Sequence, residues 1–303
     1  MNIQSLSIVV PNNSCINKCA FCVSRMHCED YTNDIFSVAG KENTYKHFNN
    51  IDEYKKRLEF ARDNGCNTVM LTGTSEPQQN RRFLEFFGLL NKRLEKPFRW
   101  IELQTTGVLL DSDYLTFLKN DVGVSTISIS ISSFTEELNR KYIGVPEKVA
   151  LNVKSLCKKI KDLGFNLRLS INLTDSFNNY YDADLNNSDK AYSLFEDIKE
   201  YYNPDQVTFR VLYANGNTEQ ANWVRKHSCN ENIINVIKNY IKQRGSKLER
   251  LPYGMQKYSV HGMSVVIDDD CMSKESEEDY KYLILRPNCK LYSRWDDKAS
   301  LIF

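Results

Sequence analysis

Three cysteines near the N-terminus, Cys15, Cys19 and Cys22, form the chemically most informative pattern in this sequence. They stand in a Cys-x3-Cys-x2-Cys arrangement shortly after the apolar stretch Leu6–Val10. Three thiolates in so short a loop can face one point, which suits a soft metal or an iron–sulfur cluster. A four-thiolate zinc site or a ferredoxin-type cluster needs a fourth ligand, and no fourth cysteine stands at a matching spacing. One iron would then be open to a ligand that is not protein.

This arrangement resembles the signature of the radical S-adenosylmethionine (radical SAM) superfamily. The resemblance implies that Cys15, Cys19 and Cys22 hold three irons of a [4Fe-4S] cluster, while the amine and carboxylate of SAM chelate the fourth iron. Phe21 matches the aromatic residue that members carry before the third cysteine, beside the adenine. The alternatives are three cysteines without metal, or a zinc loop completed by His27 or Cys28. A motif is a hypothesis that its structural context must confirm.

The composition of the chain narrows the class of protein. With 303 residues, 41% hydrophobic and 26% charged, it fits one large α/β domain, or one domain plus an extension. The net charge of +1 gives no electrostatic reason to expect nucleic acid or a membrane as partner. The apolar run Leu6–Val10 is too short for a signal peptide or a membrane span. Nine cysteines without a regular framework indicate a reducing compartment, so we expect a cytoplasmic protein.

Apolar, β-rich runs alternate with segments of helical period through the first two thirds of the chain. Such alternation implies right-handed βαβ units and a parallel sheet. Because no Gly-x-Gly-x-x-Gly follows the first strand, an incomplete barrel is favoured over a dinucleotide-binding sheet. A partial (β/α)6 TIM-type barrel is also what the family resemblance implies, with its chemistry at the carboxyl ends of the strands. The predicted strands are Leu6–Val10, Thr68–Leu71, Phe98–Leu103, Ser125–Ser132, Leu167–Leu173 and Val207–Leu212, and the predicted helices begin at Asn50 (with Glu53 in a capping box), Arg81, Asp111, Val149 and Ala191.

Residues 216–303 do not continue this alternation. A helix is predicted at Ile233–Ile241, and strands at Tyr258–Ile267 and Tyr282–Trp295, the second interrupted by a turn at Arg286. We therefore predict a core of residues 1–215 and a small α+β extension of residues 216–303. The extension would cap the open edge of the sheet and contribute to a substrate pocket.

The segment 71–77 after the second strand resembles the superfamily's Gly-Gly-Glu-Pro motif. Gly73 is kept, whereas Thr74 and Ser75 stand where a second glycine is common. The resemblance implies that this loop and Glu76 accept hydrogen bonds from the SAM ammonium, and a carboxylate, hydroxyls and carbonyls suit that task. The alternative is an ordinary strand-to-helix turn ending in a helix started by proline.

The third and fourth strands carry further candidates. Alternation points Glu102 and Gln104 to the same side, the barrel interior, where a buried carboxylate needs a partner such as the SAM ribose or the substrate. Ser130 alternates with isoleucines on the fourth strand. Residues 139–144 resemble the loop after this strand in the molybdenum-cofactor GTP cyclase and viperin-like group, where the serine matching Ser130 touches SAM. A small polar residue satisfied by the backbone is the alternative for Ser130.

The fifth strand places Arg168, Ser170 and Asn172 on one face. Three polar groups inside a barrel need partners, which favours a bound ligand. By resemblance, Arg168 would meet a SAM carboxylate or a substrate anion, and Ser170 or Asn172 the ribose. Arg210 on the sixth strand would bind substrate or pair with the carboxylate of the third strand. The family often has a backbone contact to adenine near the sixth strand's end, here Leu212 and Tyr213.

Candidates outside these motifs lie mostly in the last third of the chain. Arg286, like Arg168 and Arg210, can bind an anionic substrate, and His261, before a glycine in a hairpin, is a further candidate for substrate contact. Cys28, Cys271 and Cys289 would serve an auxiliary cluster or be inert core cysteines.

The resemblance implies a radical SAM enzyme that cleaves SAM reductively and uses the 5′-deoxyadenosyl radical to abstract hydrogen from a substrate. We expect a small molecule such as a nucleotide or sugar, and an electron donor such as flavodoxin or ferredoxin. Segment 23–50 is suited to cover the site. The alternatives are a radical SAM enzyme that modifies a peptide or protein, and a non-catalytic iron–sulfur or zinc redox sensor.

Overall fold

The computed structural model of the protein describes residues 2–12, 14–26, 48–178, 187–251, 255–268, 279–295 and 298–302. Most of segment 23–50, with Cys28, and also Cys271 lie outside these ranges. In chain order the elements are β1 (Asn2–Val9), α1 (Val23–Met26), α2 (Ile51–Asp63), β2 (Thr68–Thr72), α3 (Arg81–Lys92), β3 (Trp100–Thr105), α4 (Ser112–Phe117), β4 (Thr126–Ile131), α5 (Glu136–Ile143), α6 (Val153–Asp162), β5 (Asn166–Leu173), α7 (Asn187–Tyr202), β6 (Gln206–Val211), α8 (Glu219–His227), α9 (Glu231–Arg244), β7 (Ser246–Arg250), β8 (Gln256–Val260), β9 (Met263–Asp268), β10 (Asp279–Leu285) and β11 (Leu291–Tyr292).

The chain forms two units. The first comprises Met1–Asn17, His27–Ile127 and Met272–Phe303, and the second comprises Lys18–Met26 and Ser128–Cys271. Residues of the predicted C-terminal extension therefore occur in both units. The boundary between the units falls within strand β4.

The first unit contains the strand order β11-β10-β1-β2-β3. Strand β1 pairs in parallel with β2 and also with β10, with Leu6 opposite both Val69 and Leu283. Strand β11 is antiparallel to β10. Strand β1 is buried from Ser5 to Val9 on both of its faces, as expected of a central parallel strand, although one face carries Ser5 and Ser7. The C-terminal strand β10 thus extends the sheet at the edge of β1.

The second unit contains the strand order β5-β6-β9-β8-β7. Strands β5, β6 and β9 are parallel, and β8 is antiparallel to both β9 and β7. The prediction of an α/β fold with a parallel sheet of the partial-barrel type is confirmed, and the strands of the described ranges are not closed into a ring. The core of 1–215 with an extension of 216–303 stays a prediction.

At the start of two helices, the capping interactions predicted from the sequence can be compared with the structure. Asp111 caps α4 by accepting from the Tyr114 backbone N–H, as predicted. The predicted capping box at Asn50 and Glu53 is wrong, because the Glu53 carboxylate pairs with Lys56 and with an arginine one turn along the helix. No helix within the described ranges is long and apolar enough to cross a membrane.

Candidate functional site

The cysteine loop, residues 14–22, begins in the first unit, where side chains after β2 hold its backbone. The Ile16 N–H donates to Gln79 Oε1 at 2.9 Å, and Gln79 Nε2 donates to the Ser14 carbonyl at 3.0 Å. Asn12, just before the loop, donates to Ser75 Oγ at 2.8 Å. The half-buried Cys15 thus lies in a segment whose backbone is hydrogen-bonded to the side chain of Gln79, in the turn that follows β2.

Glu76 lies at the centre of a buried polar network in this unit. Its carboxylate accepts from Asn17 Nδ2, Gln78 Nε2, Thr105 Oγ1, Thr106 Oγ1 and the Thr106 backbone N–H, at distances from 2.5 to 3.2 Å. Glu76 is 6% exposed. The network joins the cysteine loop to the carboxyl ends of β2 and β3, the edge where parallel α/β folds place their chemistry.

Gly73 allows the segment after β2 to run close to the end of β1. Its φ is +154°, and a Cβ atom there would lie 3.3 Å from both the backbone N and the carbonyl O of Val10. The Val10 N–H in turn donates to the Thr72 carbonyl at 2.8 Å. Thr74 and Ser75 are half-buried, so the backbone of residues 73–75 lines the surface at this edge.

The third strand places Glu102 and Gln104 on the same side, as predicted from alternation. Gln104 Nε2 donates to Glu102 Oε1 at 3.1 Å and lies 3.4 Å from the sulfur of Met70. Glu102 is buried and Gln104 is half-buried. The carboxylate of Glu102 therefore has an amide partner from its own strand, and its contact to SAM or substrate stays a prediction.

The second half of the cysteine loop belongs to the second unit, where α5 holds it. The Lys18 N–H donates to the Gly144 carbonyl at 3.1 Å, and the Ala20 N–H donates to the Tyr142 carbonyl at 2.9 Å. Gly144 has φ +59°, and a Cβ atom there would lie only 2.4 Å from the Lys18 carbonyl oxygen. Residues 139–144, noticed in the sequence only through a family resemblance, therefore form a helix end against which the loop packs.

Phe21 joins an aromatic and aliphatic cluster that also contains two other predicted residues, Leu212 and Tyr213. Trp223 of α8 belongs to the same cluster, with its ring centroid 5.8 Å from that of Phe21. The structure thus brings together the three residues predicted to lie near adenine. Trp223 was missed because no helix was predicted over Glu219–His227, the residues that form α8.

Asp175 lies in the same unit as this cluster and contacts two residues beside it. Its carboxylate accepts from Tyr142 Oη at 2.7 Å and pairs with His227 Nδ1 at 2.7 Å. The His227 ring stacks on Trp223 with centroids 4.5 Å apart. Burial, and next the carboxylate of Asp175, raise the pKa of Tyr142 well above the usual range of a phenol. Tyr142 therefore stays a neutral donor, and these residues fix the helix end that holds the cysteine loop.

Polar side chains lie in the carboxyl-terminal halves of β5 and β6 in this unit. Arg210, the fifth residue of six in β6, donates through Nε to Ser170 Oγ at 2.6 Å. Asn172 Nδ2 donates to Ser132 Oγ at 3.1 Å. Ser130 of β4 is half-exposed. The contact between Arg210 and Ser170 was not predicted from the sequence, which offered Arg210 as a substrate contact or as a partner of Glu102.

Arg168 lies apart from this group. It is the third residue of the eight in β5, and both Nε and Nη2 donate to Gln206 Oε1 at 2.8 and 2.5 Å. Gln206 is the first residue of β6 and its register partner. Arg168 therefore stands in the amino-terminal half of its strand, about 16 Å of extended chain before the carboxyl end.

Arg286 is almost fully enclosed by its own unit. It is 1% exposed, its Nη2 donates to the carbonyls of Arg294 and Trp295 at 3.1 Å, and its guanidinium lies 3.9 Å from the ring centroid of Tyr292. These contacts tie the turn after β10 to the chain beyond β11. The guanidinium of Arg286 therefore stabilises the packing of this region, whereas the sequence analysis proposed it as a substrate contact.

His261 forms the turn between β8 and β9, with φ +49°. Its Nε2 bonds to Tyr240 Oη at 2.8 Å, its Nδ1 bonds to Glu196, and its ring stacks on Phe195. The predicted hairpin is confirmed. Both ring nitrogens are engaged by side chains of neighbouring helices, and a role in substrate binding stays a prediction.

The remaining described cysteines differ from those of the loop. Burial raises the pKa of Cys66, Cys157 and Cys229 to about 12 each, and Cys289 is also buried. The loop cysteines are half-buried instead. Among the described residues no three His, Cys, Asp or Glu side chains are placed as a ready set of metal ligands. The auxiliary cluster stays a prediction, since two of its cysteines lie outside the described ranges.

A mixed α/β fold with a cysteine loop at the carboxyl ends of its parallel strands is characteristic of enzymes built on partial barrels. The family model of the radical SAM superfamily matches residues 9–190 of this chain. The chain belongs to the radical SAM superfamily. Enzymes of this family bind a [4Fe-4S] cluster and SAM, act on substrates and need reductants. Membership therefore favours catalysis over a non-catalytic redox sensor.

Two solved structures show the same fold. Native anSMEcpe with bound AdoMet and Cp18Cys peptide has a TM-score of 0.58 and 14% identity, covering 97% of this chain and 74% of that one. Coproporphyrinogen III oxidase (HemN) from Escherichia coli, a radical SAM enzyme, has a TM-score of 0.50 and 12% identity over 81% of this chain. This chain spans only 54% of the length of HemN. No curated protein matches the chain.

Proposed function

We propose that the protein is a radical SAM enzyme in which Cys15, Cys19 and Cys22 bind the [4Fe-4S] cluster. The observation that carries the proposal is the Cys-x3-Cys-x2-Cys loop within the family match at residues 9–190. When bound by these cysteines, the cluster would supply the electron for reductive cleavage of SAM to methionine and a 5′-deoxyadenosyl radical, and hydrogen abstraction from the substrate would follow.

The residues of the cysteine loop fit such a cluster. Thiolates are the protein ligands that iron–sulfur clusters use, and the three loop thiols are half-buried, so they are accessible without lying open to water. The loop backbone is hydrogen-bonded on both halves, at Ile16 and Asn17 and at Lys18 and Ala20. A loop whose backbone is held in this way has less backbone entropy to lose when its thiols converge on a cluster.

The residues we propose for SAM binding lie at the carboxyl ends of the strands in each unit. Backbone carbonyls and hydroxyls of residues 73–75 suit the ammonium of SAM, and the cluster of Phe21 and Leu212 suits its adenine. Polar strand residues suit its ribose. We leave out Arg168, because its guanidinium bonds to Gln206 far from the strand end. The polar candidates are Gln104, Ser130, Ser170 and Asn172.

For the substrate we propose a small molecule with an anionic group, such as a nucleotide or sugar phosphate. Arg210 supports this choice, because it stands near the carboxyl end of β6, is half-exposed, and uses its Nε for Ser170. A guanidinium presents five N–H donors, so the two Nη groups suit a phosphate or carboxylate. We further propose a flavodoxin or ferredoxin as electron donor, and a cytoplasmic location because an oxygen-sensitive cluster needs reducing surroundings.

A second candidate is the modification of a peptide or protein. The anSMEcpe structure contains a bound Cp18Cys peptide, and the fold of that enzyme matches 97% of this chain. The likeness is one of fold, so this candidate is tested beside the first.

The test of the proposed chemistry uses the full chain reconstituted anaerobically with iron and sulfide. We expect dithionite and SAM to yield 5′-deoxyadenosine and methionine, measured by mass spectrometry. Cys22→Ala should abolish this product, while Cys66→Ala, a substitution of a buried cysteine outside the loop, should keep it after correction for folded protein. A fully loaded wild-type cluster that forms no 5′-deoxyadenosine would refute the proposal.

The test of the substrate class compares two arginines. Pools of nucleotides, sugar phosphates and peptides are added separately, and stimulated formation of 5′-deoxyadenosine is measured. We expect an anionic small molecule to stimulate the wild type and Arg168→Gln, and Arg210→Gln to raise the concentration needed about tenfold or more, since charge-assisted bonds are the strong ones. Stimulation only by peptides would favour the second candidate.

A further inference from the structure

We propose that Glu76 is a positioning residue that holds the cysteine loop, and that its side chain is not a ligand of SAM. This inference rests on the proposed function, because the task of the loop is to hold the cluster. It assigns the carboxylate a role different from the one implied by the family resemblance. Three features of the carboxylate support this role: its occupancy, its burial, and the location of its partners.

The carboxylate is fully occupied by protein donors. A carboxylate offers about four lone-pair directions on its two oxygens. Five donors point at Glu76: Oε1 accepts from Asn17 Nδ2 and Thr106 Oγ1, Oε2 accepts from Gln78 Nε2 and Thr105 Oγ1, and the Thr106 N–H lies 3.2 Å from both oxygens. An ammonium group could enter only by displacing one of these donors.

The partners of Glu76 are themselves buried. Asn17 is 1% exposed, Gln78 is 3% exposed, and Thr105 and Thr106 are 4% and 7% exposed. A buried polar group costs stability unless it is hydrogen-bonded, and hydrogen bonds to a charged group are about twice as strong as neutral ones. The network therefore stabilises one arrangement of its members and penalises every arrangement that opens it.

Because Asn17 lies within the cysteine loop, its hydrogen bond to Glu76 connects the loop to this network. Asn17 lies two residues from both Cys15 and Cys19 in the sequence. Its Nδ2 donates to Glu76 Oε1 at 3.0 Å and to Thr106 Oγ1 at 2.8 Å, so one amide ties the loop to the ends of two strands. Loss of the carboxylate would release the loop between two of its thiols. For the SAM ammonium, acceptors remain in the backbone and hydroxyls of residues 73–75.

Three substitutions test the role. Glu76→Gln keeps the shape of the side chain, but in either orientation its NH2 group meets the amide nitrogen of Gln78 or Asn17, which cannot accept a hydrogen bond. Thr106→Val removes one donor to Glu76 at constant volume. Thr106→Ser keeps the hydroxyl and is the matched control.

The first measurement is amide hydrogen exchange of residues 14–22 in the metal-free full-length protein. We expect the amides of residues 14–22 to exchange about tenfold faster in Glu76→Gln and several-fold faster in Thr106→Val. A tenfold change corresponds to the loss of about one hydrogen bond to a charged group. Exchange in Thr106→Ser should be unchanged. Exchange that stays at the wild-type rate in Glu76→Gln would overturn the proposal, whether or not the protein binds a cluster.

The second measurement uses the reconstituted protein, with iron retention against a chelator and the electron paramagnetic resonance spectrum of the reduced cluster without SAM. The Glu76→Gln and Thr106→Val variants should lose iron faster than the wild type and give a broader spectrum. Thr106→Ser should match the wild type in both measurements. A normal spectrum and iron retention together with weakened SAM binding would show that Glu76 is a SAM ligand. A wild type that loads no iron would refute the proposed function instead, and the exchange data would still decide the role of Glu76.

Discussion

Gly144→Ala tests whether the end of α5 holds the cysteine loop. Gly144 has φ +59°, a conformation that costs a residue with a Cβ atom about 1–2 kcal/mol. The new Cβ would also lie 2.4 Å from the Lys18 carbonyl oxygen and 2.6 Å from its carbon, so the loop backbone must retreat by about 1 Å to reach ordinary contact.

The retreat breaks the bond from the Lys18 N–H to the Gly144 carbonyl, which is 3.1 Å long and worth about 1 kcal/mol. Overpacking of this kind adds about 1–3 kcal/mol. We therefore expect Gly144→Ala to lower the free energy of unfolding by about 3–6 kcal/mol. Because Lys18 directly precedes Cys19, iron loading should fall with it.

Gly216→Ala is the matched control. Gly216 has φ +69°, and a Cβ atom there meets nothing within 4 Å, so this substitution carries the backbone cost alone, about 1–2 kcal/mol. The assay is urea unfolding of the metal-free proteins followed by circular dichroism, with iron per chain after reconstitution. Equal losses of stability in the two variants, or wild-type iron loading in Gly144→Ala, would refute the reasoning.

Three further outcomes are expected. At pH 8, iodoacetamide should label the cysteines within residues 14–22 of the metal-free protein before it labels Cys66 and Cys157. A pKa of about 12 leaves about one thiolate in ten thousand at each of these two buried thiols. Equal rates of labelling, measured by mass spectrometry, would contradict this. Trp223→Ala should lower the free energy of unfolding by about 2 kcal/mol, because the ring contacts are lost, and Trp223→Phe should lower it less. An unchanged midpoint of urea unfolding in Trp223→Ala would contradict this. Arg286→Ala should cost about 2–4 kcal/mol, because two carbonyls lose a buried donor, yet keep 5′-deoxyadenosine formation per folded molecule; lost product at full stability would indicate substrate binding.

Local patterns in the sequence predicted most of the sheet. Strands β1 to β6 all lie within a few residues of the predicted runs, because apolar, β-branched runs bounded by turns depend on short-range spacing. Strand alternation likewise predicted that Glu102 and Gln104 lie on the same side of β3, although the hydrogen bond between them was not predicted. The helix α8 was missed, because its apolar face is short and its buried members are only Ala221 and Val224.

Long-range pairing was beyond the reach of such patterns. Strand β10 lies beside β1 with Asn2 opposite Asp279, and β9 lies beside β6 with Arg210 opposite Asp268. Both strands were predicted as parts of an extension that caps the open edge of the sheet, but their pairing partners were not predicted. A sequence pattern shows that a segment is extended and not which strand it pairs with. The pairing of a sheet edge is chosen by the burial of whole faces.

The sequence by itself indicated the class of protein, because the spacing of three thiols over eight residues carries the resemblance to the radical SAM superfamily, and the family match bears this out. It also determined the alternation that places this loop at the carboxyl ends of a parallel sheet. Only the tertiary structure decided what holds the loop. The donors to Glu76 come from Asn17 and from Thr105 and Thr106, 59 and about 30 residues away, and Lys18 packs on Gly144. Hydrogen-bond satisfaction and steric fit are properties of groups that folding brings together, so they cannot be read from the order of residues.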